Sequence, residues 1–352
     1  MIFSRNKPRK RNCVVGLDLG SRQIKAVVLA REDSTLKLAH YAVTSSTAGP
    51  STTGSAEQLG SELHNLMTQL GISERTARVA VSCPSATICE AEFPRMPLDE
   101  VRSALRLPIN CTRYLRRDLS GFCLDAIELS DAAGDNQNKK SQTMRLLVAA
   151  ADREEIQWYR TALDAAKIRP ETMELSALTV VNAFQVGNQE LCEKEVVLLL
   201  DVGAHSTSTS ILRQGRPAMT RVMQFGGNQI SEFIGSILTL QPSAAEEEKI
   251  KMSDAVQPLV RQALSPLARE VRSSIDFFER QQECHISRAF ACGGSACSVN
   301  VLEFLSEEVG FHIESWNPVQ FLSTDHFNGE LPKLTGLAPT LAAAIGTAAP
   351  QL

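Results

Sequence analysis

Residues 14–29 read VVGLDLGSRQIKAVVL. The apolar run Val14–Leu19 is broken only by Gly16 and one carboxylate, Asp18, then Gly20 and Ser21 make a turn. A second β-rich run, Ile24–Leu29, follows at once, which predicts strand, tight turn, strand. Asp18 lies at the end of the first strand, and Gly20 lets backbone amides approach an anion closely. Lys25 returns a point positive charge seven residues after the Asp. A phosphate chain carrying Mg²⁺ needs these parts: bare amides, a cation, and a carboxylate to hold the waters of the metal.

The pattern recurs at residues 196–212, VVLLLDVGAHSTSTSIL, with Asp201, one spacer, Gly203, small hydroxyl residues and a second β-like run. A single Asp-x-Gly also fits a type I turn closing any hairpin. Two copies in matching strand contexts instead predict two similar half-molecules clamping one nucleotide.

Composition narrows the remaining classes. The chain has 352 residues, enough for two domains with separate cores. A hydrophobic fraction of 43% with 22% charged residues is that of a globular protein. The formal net charge of −4 and an aromatic fraction of 5% argue against nucleic-acid binding and base stacking. No apolar run reaches the length of a membrane span, and Met1–Phe3 is too short for a signal-peptide core. Nine scattered cysteines without CxxC or Cys/His spacing read as reduced thiols, so a cytosolic location is expected. GxGxxG and GxxxxGK[ST] are absent, and Asp201, His205 and Ser206 lack a nucleophile elbow, which sets aside Rossmann, P-loop and triad chemistry.

Along the chain, residues 1–12 carry five Lys/Arg and no acid, a solvated tail or a weak attraction to an anionic membrane surface. A first domain is expected over residues 13–190. Leu36–Val43 extends its meander, Glu57–Leu70 makes a helix with Leu59, Leu63, Leu66 and Leu70 on one face, and Arg78–Ser82 is a strand. Residues 84–143 break the rhythm with Pro84, Pro94, Pro97 and Pro108. They read as an inserted subdomain, a partner surface rather than a catalytic part, with a helix at Leu98–Leu107 and a basic patch at Arg113–Arg117. The core is expected to resume at Met144–Ala150, followed by a helix capped by Asp152 and Glu155 and another over Glu174–Val186, with Glu174 at its start.

After a link at Gly187–Lys194 a second domain is expected over residues 191–352. Gly226–Gly227 precede an outer subdomain at about residues 229–284, where Leu264, Leu267, Val271, Ile275 and Phe278 form one helical stripe. The strand in AFACGGS (289–295) ends in Gly293–Gly294, which lets a flat ring lie on the backbone, with Ser295 as a helix cap. A small-residue helix within 337–350 is expected to pack back on the first domain.

These residues resemble the actin-like (ribonuclease H-like) ATPase superfamily, an α/β fold of two domains. A first phosphate loop (Asp18, Gly20, Ser21, Lys25), a connecting helix (Glu174 to Phe184), a second phosphate loop (Asp201, Gly203) and an adenosine loop (Gly293, Gly294, Ser295) occur in the superfamily's order. Glu248 and Lys251 look like the pair that chaperone relatives place against ribose and adenine. Within the superfamily the chain most resembles the PilM family of type IV pilus assembly proteins, itself similar to FtsA. The resemblance rests on GLDLGSRQIK, FPRMPLDEV, FGGNQIS, EKIK, PLAREVRSSIDFFERQ and LAAAIGTA.

The resemblance implies ATP and Mg²⁺ between two lobes, the metal held through water by Asp18 and Asp201. Lys25 would neutralise phosphates, and Gly20, Ser21, Gly203, Gly226 and Gly227 would supply backbone at the phosphates. Glu248, Lys251, Gly293, Gly294 and Ser295 would hold the nucleoside, and Glu174 or Asp201 would serve any slow hydrolysis. It also implies a groove beside the insert for the cytoplasmic peptide of a PilN-like inner-membrane protein. Contact with pilus motor ATPases and self-association are left as options, as is service to a related type II secretion machine. Relatives carry an acidic helix ending in a Tyr-Ile-Pro-like stretch where this chain reads LPINCTRYLRR (107–117), so the patch is either an altered partner surface or a solvated face. A sugar-type kinase of the same fold and a nucleotide-independent interaction module are the alternatives.

Overall fold

The structure is a computed structural model, and it describes residues 13–32, 35–50, 54–72, 75–115, 119–129, 142–327 and 330–352. The basic tail at 1–12 and Arg116 and Arg117 of the patch lie outside the described residues.

Two five-stranded sheets carry the fold. The first is built from β1 (Cys13–Leu19), β2 (Gln23–Glu32), β3 (Thr35–Ser45), β4 (Thr76–Val81) and β8 (Arg169–Leu175), ordered β3-β2-β1-β4-β8. The second uses β9 (Val197–Val202), β10 (Thr207–Arg213), β11 (Arg216–Met223), β12 (Arg288–Cys292) and β13 (Ile313–Ser315), ordered β11-β10-β9-β12-β13. In both, an antiparallel three-strand meander continues into two parallel strands. The expected pair of similar halves is therefore present at the level of topology. Their central strands β1 and β9 are apolar almost throughout and buried on both faces, as parallel neighbours require.

Helices cover both faces. On the first sheet, α1 (Ala56–Gln69) buries Leu59, Leu63 and Leu66, with Ser55 Oγ capping its start by accepting from the Gln58 amide. It packs on α4 (Arg153–Ala165), whose cap Asp152 accepts from the amides of Glu154 (2.7 Å) and Glu155 (3.3 Å). Between the two sheets lie α5 (Ser176–Gly187) and α12 (Ala342–Ala348). Val27 of the first sheet, Leu199 of the second, Phe184 of α5 and Ile345 of α12 share one core, and α12 lies against β1, β2 and β4. Gly346 is obligatory there, because a Cβ would overlap the Thr179 carbonyl of α5.

The insert is a subdomain of its own. Strands β5 (Thr87–Pro94), β6 (Phe122–Glu128) and β7 (Thr143–Asp152) form an antiparallel sheet ordered β5-β7-β6. Helix α2 (Leu98–Leu105) covers it, followed by the helical turn α3 (Pro108–Asn110) and a π turn at Cys111–Leu115. Phe93, Val101, Leu105 and Leu146 make a separate core, and Arg102 ties α2 to Asp125 of β6 at 2.6 Å. The expected end of the insert at residue 143 is corrected by this sheet. Met144–Ala150 pair with β5 and β6 rather than with the first domain's strands, so the insert runs on to Asp152. An apolar strand looks the same whichever sheet it joins, which is why composition misplaced it. Strand β5 also lies against β11, so the insert touches the second half directly.

The second half continues through the short α6 (Gln189–Lys194) and carries α7 (Gly227–Leu238), α8 (Pro242–Lys251) and α9 (Gln257–Gln282) as an outer layer. All five residues of the α9 stripe named above are buried in its core with Ile230, Ile234 and Ala245. Helix α10 (Val299–Val309) backs β12, and α11 (Leu331–Leu337) leads into α12.

Candidate functional site

The two hairpins meet face to face across a cleft of about 830 Å³, within the usual size for a small-molecule site. In the first, the β1–β2 register sets Asp18 opposite Lys25, and Lys25 Nζ reaches Asp18 Oδ2 at 3.0 Å. Both side chains are largely buried, so this pair is held in place rather than solvated. Gly20 is pinned by crowding: a Cβ there would stand 2.8 Å from both the Gln23 carbonyl and Lys25 Nζ. The amides of Gly20 and Ser21 have no hydrogen-bond partner among the described residues, and both residues line the cleft, where such donors can take an anion.

The second hairpin repeats the geometry with one substitution. Asp201 is opposite Ser208, so the position that holds Lys25 in the first hairpin holds a hydroxyl in the second. The Asp201 side chain has no hydrogen bond or ion pair among the described residues. Burial and the neighbouring Asp18 charge push its carboxyl up to about 6, Lys25 offsetting only part of this. Two carboxylates side by side with a single cation between them, Lys25 paired directly with Asp18 alone, suit a divalent ion.

The glycines around Asp201 serve approach rather than donation. Gly203 N donates to Ser206 O (3.0 Å) and Gly227 N to Gly203 O (2.9 Å), so both expected phosphate donors are engaged within the protein. These bonds bring the α7 N-terminus onto the loop. Gly226 stands behind the cleft wall, where a Cβ would meet the Gly203 and Ala204 carbonyls at 2.6 Å. Gly293 has φ +89°, and a Cβ on it would come within 2.5 Å of Asp201 Oδ1. Gly293, Gly294 and Ser295 all line the cleft, and Gly294 opens a 3-10 turn to Cys297.

Two expectations are placed differently by the tertiary structure. Glu174 is a strand residue of β8, not the start of a helix, and it is absent from the cleft wall. It is buried against Arg78, whose Nη2 donates to Glu174 Oε1 at 2.5 Å while Nε donates to the Thr347 carbonyl of α12. Burial pushes its carboxyl up, opposed by Arg78. Its role here is to lock β4, β8 and α12 together. Glu248 likewise faces away from the cleft, paired with the more exposed Lys251 at 2.8 Å, although Lys251 itself reaches the rim.

The charged pair that does line the wall is Glu246 and Lys249, 2.7 Å apart and half-shielded. Lys249 Nζ also donates to the Gly227 carbonyl (2.8 Å), and Ser231 Oγ donates to Glu246 Oε2. Burial would raise the Glu246 carboxyl, but these bonds and the charges of Lys249 and Arg22 outweigh it and hold it below the usual range. Burial lowers Lys249, with Glu246 opposing. The run EEEKIK contains both Glu/Lys pairs at the same spacing of three. A shift of two residues turns a helix by about 200°, and it is Ser231 and the Gly227 carbonyl of α7, bonded to Glu246 and Lys249, that hold this pair inward.

Taken together, two sheets of one topology, each presenting an Asp-bearing hairpin to a shared cleft, define the actin-like ATPase fold. The whole-chain comparison agrees. The family model for type IV pilus assembly protein PilM matches residues 16–351, and the chain belongs to the PilM family. It is similar to a solved PilM–PilN type IV pilus biogenesis complex at 24% identity, covering 97% of this chain and 99% of that one, with a TM-score of 0.84. It also matches ethanolamine utilization protein EutJ from Carboxydothermus hydrogenoformans (12% identity; 97% and 90% covered; TM-score 0.56). MreB 5 of Spiroplasma citri, solved bound to AMPPNP, is similar at 12% identity (93% and 98% covered; TM-score 0.50). Membership of this family does not favour the kinase alternative. Among the described residues no helix is long and apolar enough to cross a membrane.

Proposed function

We propose that the protein is an ATP-binding scaffold of a type IV pilus assembly complex, working in the cytoplasm and held at the inner membrane by a PilN-like partner. The observation that carries the nucleotide part is the facing pair of hairpins with two carboxylates, one cation and two unpartnered amides. Among the described residues no group of three or more His, Cys, Asp or Glu is placed to hold a metal ion alone. Two carboxylates with room for water and phosphate oxygens suit Mg²⁺, which keeps much of its hydration shell. Bound Mg²⁺ would neutralise charge on the phosphates.

Asp18 and Asp201 would order the waters of the metal, Lys25 would offset phosphate charge, and the Gly20 and Ser21 amides would fix phosphate oxygens. Lys249 and Glu246, with Lys251 at the rim, would hold the nucleoside against the Gly293–Ser295 backbone. No residue is assigned as a general base, since phosphoryl transfer depends mainly on positioning and electrostatics. Slow turnover is the expectation that follows.

The partner part rests on family membership and on the PilN chain of the similar complex. Exposed Leu107 and Ile109, at 55% and 74% relative exposure, give the insert an apolar edge beside which a peptide would dock. Because β5 lies on β11, a peptide there would sit on an element in contact with the nucleotide-facing half. Calorimetric titration with Mg-ATP, with Asp18→Ala as control, tests the first part, and titration with the cytoplasmic tail of the membrane partner tests the second. Absence of Mg-ATP binding would end the nucleotide reading, and absence of tail binding would end the scaffold reading.

A further inference from the structure

One side chain of the first hairpin crosses the cleft. Arg22 sits at the tip of the β1–β2 turn, in the first half, and its Nη1 lies 2.9 Å from Glu246 Oε2 on α8 of the second half. The same Nη1 donates to Asn228 Oδ1 (3.3 Å) in the first turn of α7, and Asn228 is in turn bonded to His205 beside the second hairpin (3.1 Å). Glu246 is already held by Lys249 and Ser231, so Arg22 docks on a carboxylate that is fixed in position. Arg22 itself is half-exposed while Glu246 is only 16% exposed. A mobile cation thus meets a rigid anion, and the meeting point bridges the two halves at the mouth of the cleft.

We propose that Arg22 and Glu246 form a clasp that sets how long the cleft keeps its nucleotide, which makes Arg22 a positioning residue and not a ligand of the phosphates. This rests on the nucleotide reading above. A competing role, in which Glu246 merely occupies Arg22 until a phosphate displaces it, fits the geometry less well. The cleft keeps a volume of about 830 Å³ with the pair formed, so a ligand can lie beneath a closed clasp. Opening the cleft requires breaking both bonds from Arg22, whereas Lys25–Asp18 and Lys249–Glu246 each stay within one half and are indifferent to it.

The test is release of a fluorescent ATP analogue in stopped flow from the full chain, for Arg22→Ala, Glu246→Gln and the double variant. Each single change should speed release by about 1.5- to fivefold, the range for a partly exposed ion pair. The double variant should be no faster than the quicker single, because the two residues act as one unit. Faster release in Arg22→Ala with none in Glu246→Gln, or additive effects in the double, would overturn the clasp and make Arg22 a phosphate contact. Hydrogen exchange of the ligand-free proteins separates this from failure of the nucleotide reading. Residues 226–231, whose amides are bonded in the ligand-free fold, should exchange faster in both single variants whether or not ATP binds. Unchanged exchange there would overturn the clasp by itself.

Discussion

Changing Asp201 to Asn should move stability and ligand binding in opposite directions. In the ligand-free fold its carboxyl is raised from 3.8 to about 6, by burial and by Asp18. A raised acid favours its neutral form: that contribution is fully present below pH 3.8 and is lost as the pH climbs through 6. Ionising Asp201 at pH 8 therefore costs the folded chain about 1–3 kcal/mol, the lower end allowing for the side chain's partial solvent contact. Asp201→Asn removes that cost, so its melting temperature without ligand should exceed the wild type's by a few degrees at pH 8 and match it near pH 4. Mg-nucleotide needs the charged form. Between pH 7 and pH 5 the ionised fraction of a group titrating at about 6 falls roughly tenfold, so affinity should drop roughly tenfold, about 1.4 kcal/mol. Calorimetry in two buffers of different ionisation enthalpy at pH 6 should show about half a proton released on binding. Asp201→Asn should bind weakly, with that component of the pH dependence gone. If the substitution lowers ligand-free stability at pH 8, or leaves the pH profile of binding intact, the electrostatic account of the site is wrong.

Other perturbations bear on separate parts of the fold. Lys249→Ala should weaken nucleotide binding about ten- to hundredfold, the worth of a charge-assisted hydrogen bond, while Lys251→Ala costs far less; equal losses would put the wrong face of α8 in the cleft. Arg78→Ala should destabilise the fold by about 3–5 kcal/mol in denaturant titration, because it strands the buried Glu174 carboxylate. Glu174→Gln should lower stability yet leave any phosphate release unchanged, and a large loss of turnover would return Glu174 to the chemistry. Gly346→Ala should cost about 3 kcal/mol or prevent folding, since a methyl group overlaps the Thr179 carbonyl; near-neutral behaviour would mean α5 and α12 separate easily.

What sequence alone determines here is the repeated local chemistry. An apolar strand ending in Asp-x-Gly and followed by a β-rich run makes a hairpin whatever surrounds it, so both hairpins and the positions of Asp18, Lys25 and Asp201 were legible. The α9 stripe was equally legible, because helical periodicity and burial report the same face. The family motifs are spread along most of the chain, so membership followed from the sequence too. The tertiary structure alone decided four matters. It assigned Met144–Ala150 to the insert's sheet, since strand pairing is a long-range choice that composition does not encode. It turned Glu174 toward Arg78 rather than the cleft, an ion pair 96 residues apart in sequence. It chose Glu246 and Lys249 over Glu248 and Lys251, because Ser231 and the Gly227 carbonyl of α7 bond the first pair. It also brought Arg22 to Glu246, joining two halves that local sequence describes separately. Side-chain types and their spacing belong to the chain, whereas which of two equivalent faces looks inward is decided only when the elements pack.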